Sequence, residues 1–564
     1  MNENLKMRNL FDKLDSRLPA FVRMANPIAW SLIWVGAIGL AMLVHLAFLV
    51  HWPDHFVHED SAAYLDEAQS ILTGHYVDDP GRRPYGVALF LVLLSKLFSP
   101  NILVFVVAQH LLSILSAILI AAAVRFAGAP RICSLLAFFL AALYGRTIHY
   151  DNTVGAETIS VFLMSLPVFI ASGVAFRKWP PFLSAIAIGL SLGAAMLCRS
   201  ATVGAAVVIL LWLAMSVDIR WIRRLGVVAL AGGIAAAVYL APNAVNRIVG
   251  KHPAGSESVA VMAFIVGYSG DFDHGVHLDR KAQARQFVNE KRATDGPLGW
   301  GVDTGEYQWP FGALNLMRRP TDSDADIEKV VRDIFIETLT TPSTLWRHLS
   351  KYFAREMYFL LFDGNVIARK ASDPQGYEFF VKRDAFPFFK SPTGFKPGSL
   401  IFNYYSPPKK LSWLLPTATK LQARLDALMT YGYLPRPDRA PLCCRLTISS
   451  EYDDLPGPIR WLSASMLILL ATLLVGEVVG RSGWLPPLPR NLVAIGTLMV
   501  LLALINAAFP AFLIYGLNRY AYCVTPFMAG AAGVLFAVLL DRVRLIAVNW
   551  PRGVRAMSVV EQAG

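Results

Sequence analysis

The chain has 564 residues, of which 55% are hydrophobic and only 16% are charged, and its mean hydropathy is +0.46. Soluble globular proteins carry about 25% charged residues, so the composition excludes that class and indicates a polytopic membrane protein. The net charge of +12 does not indicate nucleic-acid binding, because the basic residues form short clusters beside apolar segments, as they do on the cytoplasmic side of membrane proteins.

Ten segments are predicted to cross the membrane, because each approaches the ~20 mostly apolar residues that a helix needs to span the hydrocarbon core. The segments 132–147 and 200–217 are shorter or less uniformly apolar than the others. A further apolar stretch at 85–98 is short and predicts either an interfacial helix or an extension of the next span. The ten predicted spans are 28–50, 101–124, 132–147, 156–175, 181–198, 200–217, 226–243, 461–479, 491–513 and 521–540.

Clusters of Lys and Arg set the predicted orientation, since positive charge is retained in the cytoplasm. When the ten spans alternate, every cluster falls on the same side, which agrees with the count of ten. The basic N-terminus is then a retained signal anchor, and 51–85, 150–157 and the residues from about 244 to 458 lie outside the cytoplasm. The clusters contain Lys6, Arg8, Lys13, Arg17, Arg23, Arg125, Arg131, Arg177, Lys178, Arg220, Arg223, Arg224, Arg481, Arg490, Arg542, Arg544, Arg552 and Arg555.

The chain divides into three predicted parts. Residues 1–245 form an N-terminal transmembrane module that contains the first extracytoplasmic loop, 51–85. Residues 246–458 form an extracytoplasmic region of mixed character that is long enough for a domain of its own. Within it, Trp346–Phe362 predicts an amphipathic helix along the membrane surface. Residues 459–564 hold the last spans and a cytoplasmic tail.

The first extracytoplasmic loop carries a predicted helix. Asp60, Tyr64 and Glu67 are spaced four and three residues apart, which places them on one helical face. A neighbouring apolar stripe makes residues 59–73 amphipathic, and Gly74 is suited to end the helix. We expect this helix on the outer membrane surface. From the spacing alone, a solvated connector and a functional site explain the loop equally well.

Four arginines fall at the outer side of the membrane, against the positive-inside bias. Arg82 and Arg83 stand where the chain re-enters apolar sequence, Arg199 separates two apolar spans, and Arg519 precedes the last span. Each could extend to lipid phosphates at the interface. Together they suggest an anionic ligand, because the planar guanidinium donates two parallel hydrogen bonds to a phosphate. Arg199 in particular is expected to need a partner.

Two acids lie near the start of one span. Glu157 opens the span, where either the helix dipole or a functional role would favour a carboxylate. Asp151 is predicted to be a solvated turn residue. Proton-coupled transporters carry ionisable residues near the middle of the membrane, and none here is compelling at the level of the sequence. No Walker A or GxGxxG motif predicts a nucleotide-binding module.

Four motifs together resemble the GT-C superfamily of polytopic glycosyltransferases, which includes protein O-mannosyltransferases and aminoarabinose transferases. They are an Asp after the first span (HEDSAAYLDEAQSILTG), a Pro-Tyr-Gly re-entry (RRPYGVALFL), an acid that opens a later span (GAETISVFL) and a late Arg-Tyr followed by Pro (NRYAYCVTPF). The resemblance covers about the first 245 residues and the last span. Aminoarabinose transferases have Asp-Glu in the catalytic loop, whereas this chain has Glu59-Asp60-Ser61, so that substrate is not assigned.

The resemblance implies an all-α GT-C-like membrane enzyme of the cell envelope, acting in cell-wall biogenesis. It would sit in the inner (plasma) membrane and move a sugar from a polyprenyl-phosphate donor, with inversion, at the periplasmic face. The acceptor would be a glycolipid, a polysaccharide or a protein. Some family members use a divalent cation, for which Asp60 and Glu157 are the candidate ligands, and others need none.

The resemblance also assigns roles to residues. Asp60 would be the general base that takes the proton of the acceptor hydroxyl. The donor phosphate would be bound by arginines, and further side chains would orient the acceptor or donor. The phosphate-binding candidates are Arg82, Arg83, Arg199 and Arg519, and the orienting candidates are Glu59, Tyr64, Tyr85, Glu157 and Tyr520.

Two other function classes remain open at the level of the sequence. A transporter or flippase for a lipid-linked saccharide would also need arginines near phosphates, and predicts inverted repeats and broken helices. A scaffold that binds partners through its extracytoplasmic region leaves the acid-rich first loop unexplained.

Overall fold

The computed structural model describes most of the membrane helices and part of the region between them. Its described ranges are 27–51, 64–72 without 66 and 69, 84–98, 102–144, 154–217, 220–248, 256–294, 309–354, 458–481, 487–513 and 523–543, with the single positions 148, 151, 357, 361 and 545. Within these ranges the regular structure is helical, and no strand forms.

The apolar helices are numbered here in chain order. They are α1 (Pro27–His51), α2 (Gly86–Leu97), α3 (Ile102–Phe126), α4 (Arg131–Ala142), α5 (Glu157–Arg177), α6 (Pro181–Cys198), α7 (Val203–Ser216) and α8 (Trp221–Ile248). After the intervening region they continue with α14 (Pro458–Arg481), α15 (Arg490–Leu513) and α16 (Cys523–Val543).

Seven helices in the described ranges are long and apolar enough to cross a membrane, namely α1, α3, α5, α6, α8, α15 and α16. The described part of the chain is therefore all-α and has the helices of a polytopic membrane protein, as the composition predicts. The other three predicted spans also form helices, α4, α7 and α14, whose apolar lengths fall short of about 20 residues. The count of ten spans thus stays a prediction.

Helices α6 and α8 pack closely because small residues line their contact. Gly189 and Gly193 stand four residues apart on one face of α6. A Cβ atom on Gly189 would lie 2.6 Å from the Ala231 carbonyl oxygen, and one on Gly193 would lie 2.6 Å from the Val238 Cβ. Apolar helices cannot use the hydrophobic effect to associate in lipid, so such close approach stabilises their packing through van der Waals contact.

A second group of helices lies between α8 and α14 and has a core of its own. These helices are α9 (Ser256–Ser269), α10 (Leu278–Thr294), α11 (Trp309–Met317), α12 (Asp324–Thr340) and α13 (Pro342–Arg347), followed by one π-helical turn (His348–Phe353). We call residues 256–294 and 309–353 the helical unit. Its core contains Met262, Val266, Phe272, Ala284, Val288, Ala313, Met317, Ile327, Val330, Val331 and Ile334.

The helical unit is joined to the membrane helices through His348. The His348 ring contacts the Ser269 hydroxyl through Nδ1 at 2.8 Å and the Phe512 carbonyl oxygen through Nε2 at 2.9 Å. Tyr352 is also buried, whereas Trp346 is 69% exposed. The start of the predicted amphipathic stretch therefore packs on the end of α15 in addition to presenting an exposed side.

Because α6 and α8 are in close contact, a larger side chain at this contact should lower the free energy of unfolding. Gly193→Val should lower the free energy of unfolding by about 1–3 kcal/mol, because the new side chain meets Val238 and the Ala235 carbonyl. Gly233→Val on α8 is the matched control, since a Cβ there meets nothing within 4 Å. Unfolding of both variants in mixed micelles of SDS and a mild detergent measures the difference. Equal losses would contradict this packing.

Candidate functional site

Three separated parts of the chain meet at one end of the membrane bundle. Helix α5 begins at Glu157, α6 ends at Cys198 just before Arg199, and α16 begins at Cys523. The Arg199 Nη1 lies 3.3 Å from the Glu157 Oε1 and 3.2 Å from the Cys523 Sγ. We call this the Arg199 end of the bundle.

A fourth part, the Pro-Tyr-Gly re-entry, reaches the same place. Helix α2 begins at Gly86, and a Cβ atom on Gly86 would lie 2.5 Å from the Cys198 backbone nitrogen. Only a glycine allows this close approach, which brings the backbone of α2 against the last turn of α6. Tyr85 immediately precedes the contact and is half-buried.

Local backbone geometry places the Arg199 side chain. Arg199 is extended (φ −158°, ψ 114°), ends α6 and donates its N–H to the Ala195 carbonyl oxygen. A short 3₁₀ turn, Ser200–Thr202, then leads into α7, and the Thr202 hydroxyl donates to the Arg199 carbonyl oxygen at 2.8 Å. The backbone N–H and carbonyl oxygen of Arg199 are thus both hydrogen-bonded. Its guanidinium is buried among α5, α6 and α16.

Arg199 and Glu157 form a buried ion pair, with side chains that are 10% and 7% exposed. A single buried charge is costly, and a partner at this distance compensates it. The expectation that Arg199 needs a partner is confirmed, and the partner is a protein carboxylate. Glu157 also stands in the first turn of α5, where the helix dipole favours a negative charge.

A small recess opens beside this ion pair. With its open mouth included it measures about 210 Å³, and its enclosed part holds about one water molecule. Helix α15, which carries the contact to the helical unit, forms one wall. The lining residues are Arg199, Ala201, Thr202, Asn506, Pro510 and Cys523.

The helix predicted in the first loop is confirmed at its described residues, all of which are helical between 64 and 72. Its described residues also pack against the bundle. Tyr64, Leu65 and Ala68 are buried in a cluster with residues of α2, with Phe105 of α3 and with Cys198. This part of the helix packs against the bundle because its apolar residues have apolar neighbours there, and its placement on the membrane surface stays a prediction.

Glu67 belongs to the same buried segment. Its side chain is buried, and this burial raises its pKa from 4.5 to about 8. The side chain is therefore mainly a neutral carboxylic acid at pH 7, although the helical spacing predicts it on the polar face beside Tyr64.

Four of the predicted site residues lie within the described ranges. Glu157 contacts Arg199, and Tyr64 and Tyr85 lie at the same end of the bundle. The remaining predicted site residues lie outside the described ranges, and the suggested metal pair of Asp60 with Glu157 is untested for the same reason. Those outside are Glu59, Asp60, Arg82, Arg83, Arg519 and Tyr520.

A buried cluster that sequence reasoning missed lies next to this site. His45 of α1, His110 of α3 and Asp151 are 2%, 3% and 0% exposed. The prediction that Asp151 is a solvated turn residue is wrong, since its Oδ1 accepts from the Thr158 hydroxyl at 2.8 Å inside the bundle. The sequence signal for the cluster is the presence of a histidine in each of two otherwise apolar spans. We call these three residues the His–Asp cluster.

The chain was compared with known protein families, curated proteins and solved structures, and it matched none of them. No match therefore identifies the superfamily that the sequence resembles.

The Arg199–Glu157 pair predicts a strong effect of removing one charge. Glu157→Gln should lower the free energy of unfolding by about 3 kcal/mol, because it leaves a buried guanidinium uncompensated. The double variant Glu157→Gln/Arg199→Gln should recover most of that loss. Unfolding in mixed micelles provides the measurement.

The exposed pair of Arg319 with Asp279 supplies the control for this experiment. Asp279→Asn should cost less than about 1 kcal/mol, as is usual for surface ion pairs. A loss in Glu157→Gln no larger than that of Asp279→Asn would contradict a buried, energetically important pair.

The raised pKa of Glu67 predicts that the free energy of unfolding depends on pH. Between pH 4.5 and about 8 the folded chain keeps a proton on Glu67 that the unfolded chain has lost. The free energy of unfolding should therefore fall as the pH rises, by about 1.4 kcal/mol per pH unit from this group, and level off above about pH 8. Glu67→Gln should remove this slope, whereas Glu290→Gln on α10, an exposed position, should keep it. Identical pH profiles for wild type and Glu67→Gln would contradict the assignment.

Proposed function

We propose that the chain is an integral membrane glycosyltransferase that moves a sugar from a polyprenyl-phosphate donor to an acceptor hydroxyl. One observation carries the proposal. Three of the motifs that resemble the GT-C superfamily are far apart in the sequence and contain Gly86, Glu157 and Cys523. They meet around Arg199 at one end of the bundle, beside a recess.

Arginine chemistry supports phosphate binding at this end. The leaving group in such a transfer is a phosphate, which needs charge stabilisation and no general acid. The Arg199 side chain lines the recess, so its guanidinium places a positive charge beside the mouth. Because the enclosed part of the recess holds about one water molecule, the phosphate would bind at its mouth. Arg82, Arg83 and Arg519 are the further candidates.

The proposed reaction begins at Asp60, which stands four residues before the buried Tyr64. Its carboxylate takes the proton of the acceptor hydroxyl, and the acceptor oxygen forms a bond to the anomeric carbon. The bond from that carbon to the phosphate oxygen breaks through an oxocarbenium-like state, and the electron pair stays on the phosphate. In this scheme Glu157 holds the Arg199 guanidinium in place beside the leaving phosphate.

The proposal does not include a divalent cation on Glu157. A cation bound there would face the positive charge of Arg199 at 3.3 Å from the same carboxylate. Two carboxylates alone are also a weak set of metal ligands. Neutralisation of the phosphate is therefore assigned to arginines.

The site is proposed to face the periplasm from the inner (plasma) membrane, because the Lys and Arg clusters predict the opposite ends of the spans in the cytoplasm. The acceptor would be a glycolipid, a polysaccharide or a protein of the cell envelope. Such a site receives a lipid-linked donor from within the membrane and an acceptor from the aqueous side.

Transport of a lipid-linked saccharide is the second candidate function. One observation favours it: the His–Asp cluster places ionisable groups inside the bundle, as proton-coupled transporters do. The two functions differ in product, because the enzyme releases polyprenyl monophosphate and the transporter leaves the donor intact.

The test uses the purified full chain with a panel of polyprenyl-phosphate hexoses and pentoses and an envelope extract as the source of acceptor. Release of polyprenyl monophosphate is measured, since it is the product whichever sugar is moved. Asp60→Asn should reduce turnover by about 100-fold or more, because it removes the general base. Asp78→Asn, in the same loop, is the matched control and should keep wild-type turnover.

Two results would contradict the proposal. Wild-type turnover by a correctly inserted Asp60→Asn variant would exclude Asp60 as the base. Movement of an intact labelled donor across a liposome membrane by the wild-type chain, without release of polyprenyl monophosphate from any donor, would favour transport.

A further inference from the structure

The His–Asp cluster joins three parts of the chain through atoms that can bind a metal. His45 comes from α1, His110 from α3, and Asp151 from the segment that leads into α5. The two Nδ1 atoms lie 2.8 Å apart, and the Asp151 Oδ2 lies 3.7 Å from the His45 Nδ1 and 3.8 Å from the His110 Nδ1.

One of these separations fits a hydrogen bond and two do not, whereas a single ion can contact all three atoms. Ligands bound tetrahedrally at about 2.0–2.1 Å from Zn²⁺ lie about 3.3 Å from one another, and the three observed distances bracket that value. The two distances from ring nitrogen to carboxylate oxygen exceed the hydrogen-bonding range. A small cation between the three atoms accounts for all three distances together.

Outer hydrogen bonds hold two of the three residues, His45 and Asp151. The His45 Nε2 donates to the Ala142 carbonyl oxygen at 2.9 Å, which leaves the Nδ1 lone pair facing the cluster. The Thr158 hydroxyl donates to the Asp151 Oδ1, and the Gln109 amide donates to the Asp151 carbonyl oxygen, both at 2.8 Å. Metal-binding histidines and carboxylates characteristically have such partners behind them.

We propose that His45, His110 and Asp151 bind a Zn²⁺ ion. Two imidazoles and one carboxylate favour zinc over magnesium or calcium, which prefer oxygen ligands. The ion would tie α1 and α3 to the segment before α5 and so position Thr158 and the adjacent Glu157. A fourth, non-protein ligand such as water would complete the tetrahedron. The site differs from the predicted pair of Asp60 with Glu157 and does not depend on sugar transfer.

The first measurement is the zinc content of the full chain, expressed with added zinc and purified without chelator after removal of any tag. Wild type should retain about one Zn²⁺ per chain, as a three-ligand site does. Asp151→Asn should lose at least about nine-tenths of it, since a neutral amide is a poor zinc ligand. That variant keeps the shape of the side chain and an oxygen for the Thr158 hydroxyl. His274→Asn, which changes an exposed histidine outside the cluster, should retain the zinc.

The second measurement uses the wild-type chain alone, so it holds even if a variant fails to fold. X-ray absorption at the zinc edge should show two imidazoles and one oxygen from carboxylate at about 2.0 Å. Removal of zinc with a chelator should lower the unfolding temperature, and added Zn²⁺ should restore it, because a ligand that binds only the folded state stabilises it.

The proposal is overturned if zinc-supplemented wild type contains less than about a tenth of an ion per chain and the chelator leaves its unfolding temperature unchanged. It is also overturned if the absorption spectrum shows no imidazole ligands, which would mark an ion bound elsewhere. His110 would then donate a hydrogen bond from Nδ1 to the His45 Nδ1.

Discussion

A buried charge in a membrane bundle must be compensated, and the ion pair between Arg199 and Glu157 meets that constraint here. The pair ties the residue that follows α6 to the first turn of α5. Cys523 lies at 3.2 Å from the same guanidinium, so the start of α16 belongs to the same contact. The position of this guanidinium determines how the helix ends are arranged. The recess beside them and the proposed phosphate site depend on the same position.

Polar groups are concentrated around that pair, in surroundings that are otherwise apolar. The His–Asp cluster is connected to the ion pair through Thr158, which follows Glu157 in the chain and donates a hydrogen bond to Asp151. The neutral Glu67 is buried in the segment that packs against Cys198. The helical unit reaches the same end through His348 and Phe512, on the helix that lines the recess. This end of the bundle is therefore polar and is connected to the helical unit through α15.

The sequence predicts the features that depend on local composition. The span at 181–198 has the bounds of α6, because apolar length alone defines it. The need of Arg199 for a partner follows from its charge and position, but the choice of Glu157 depends on packing between residues 42 positions apart. The prediction that Asp151 is solvated was based on the usual exposure of turn residues. It is wrong because the fold brings Asp151 to two histidines of other helices, a contact that the local sequence does not reveal. Glu67 is likewise buried in a segment whose neighbours Tyr64, Leu65 and Ala68 pack with residues of α2 and α3, and its own helix does not reveal that packing.

The most direct measurement of the central claim is a cryo-electron microscopy structure of the chain in lipid nanodiscs with polyprenyl monophosphate. The phosphate is expected at the Arg199 end of the bundle, at the mouth of the recess, with a guanidinium at a hydrogen-bonding distance of about 2.8 Å. A phosphate bound instead at the opposite end, beside Arg125 and Arg177, would contradict it.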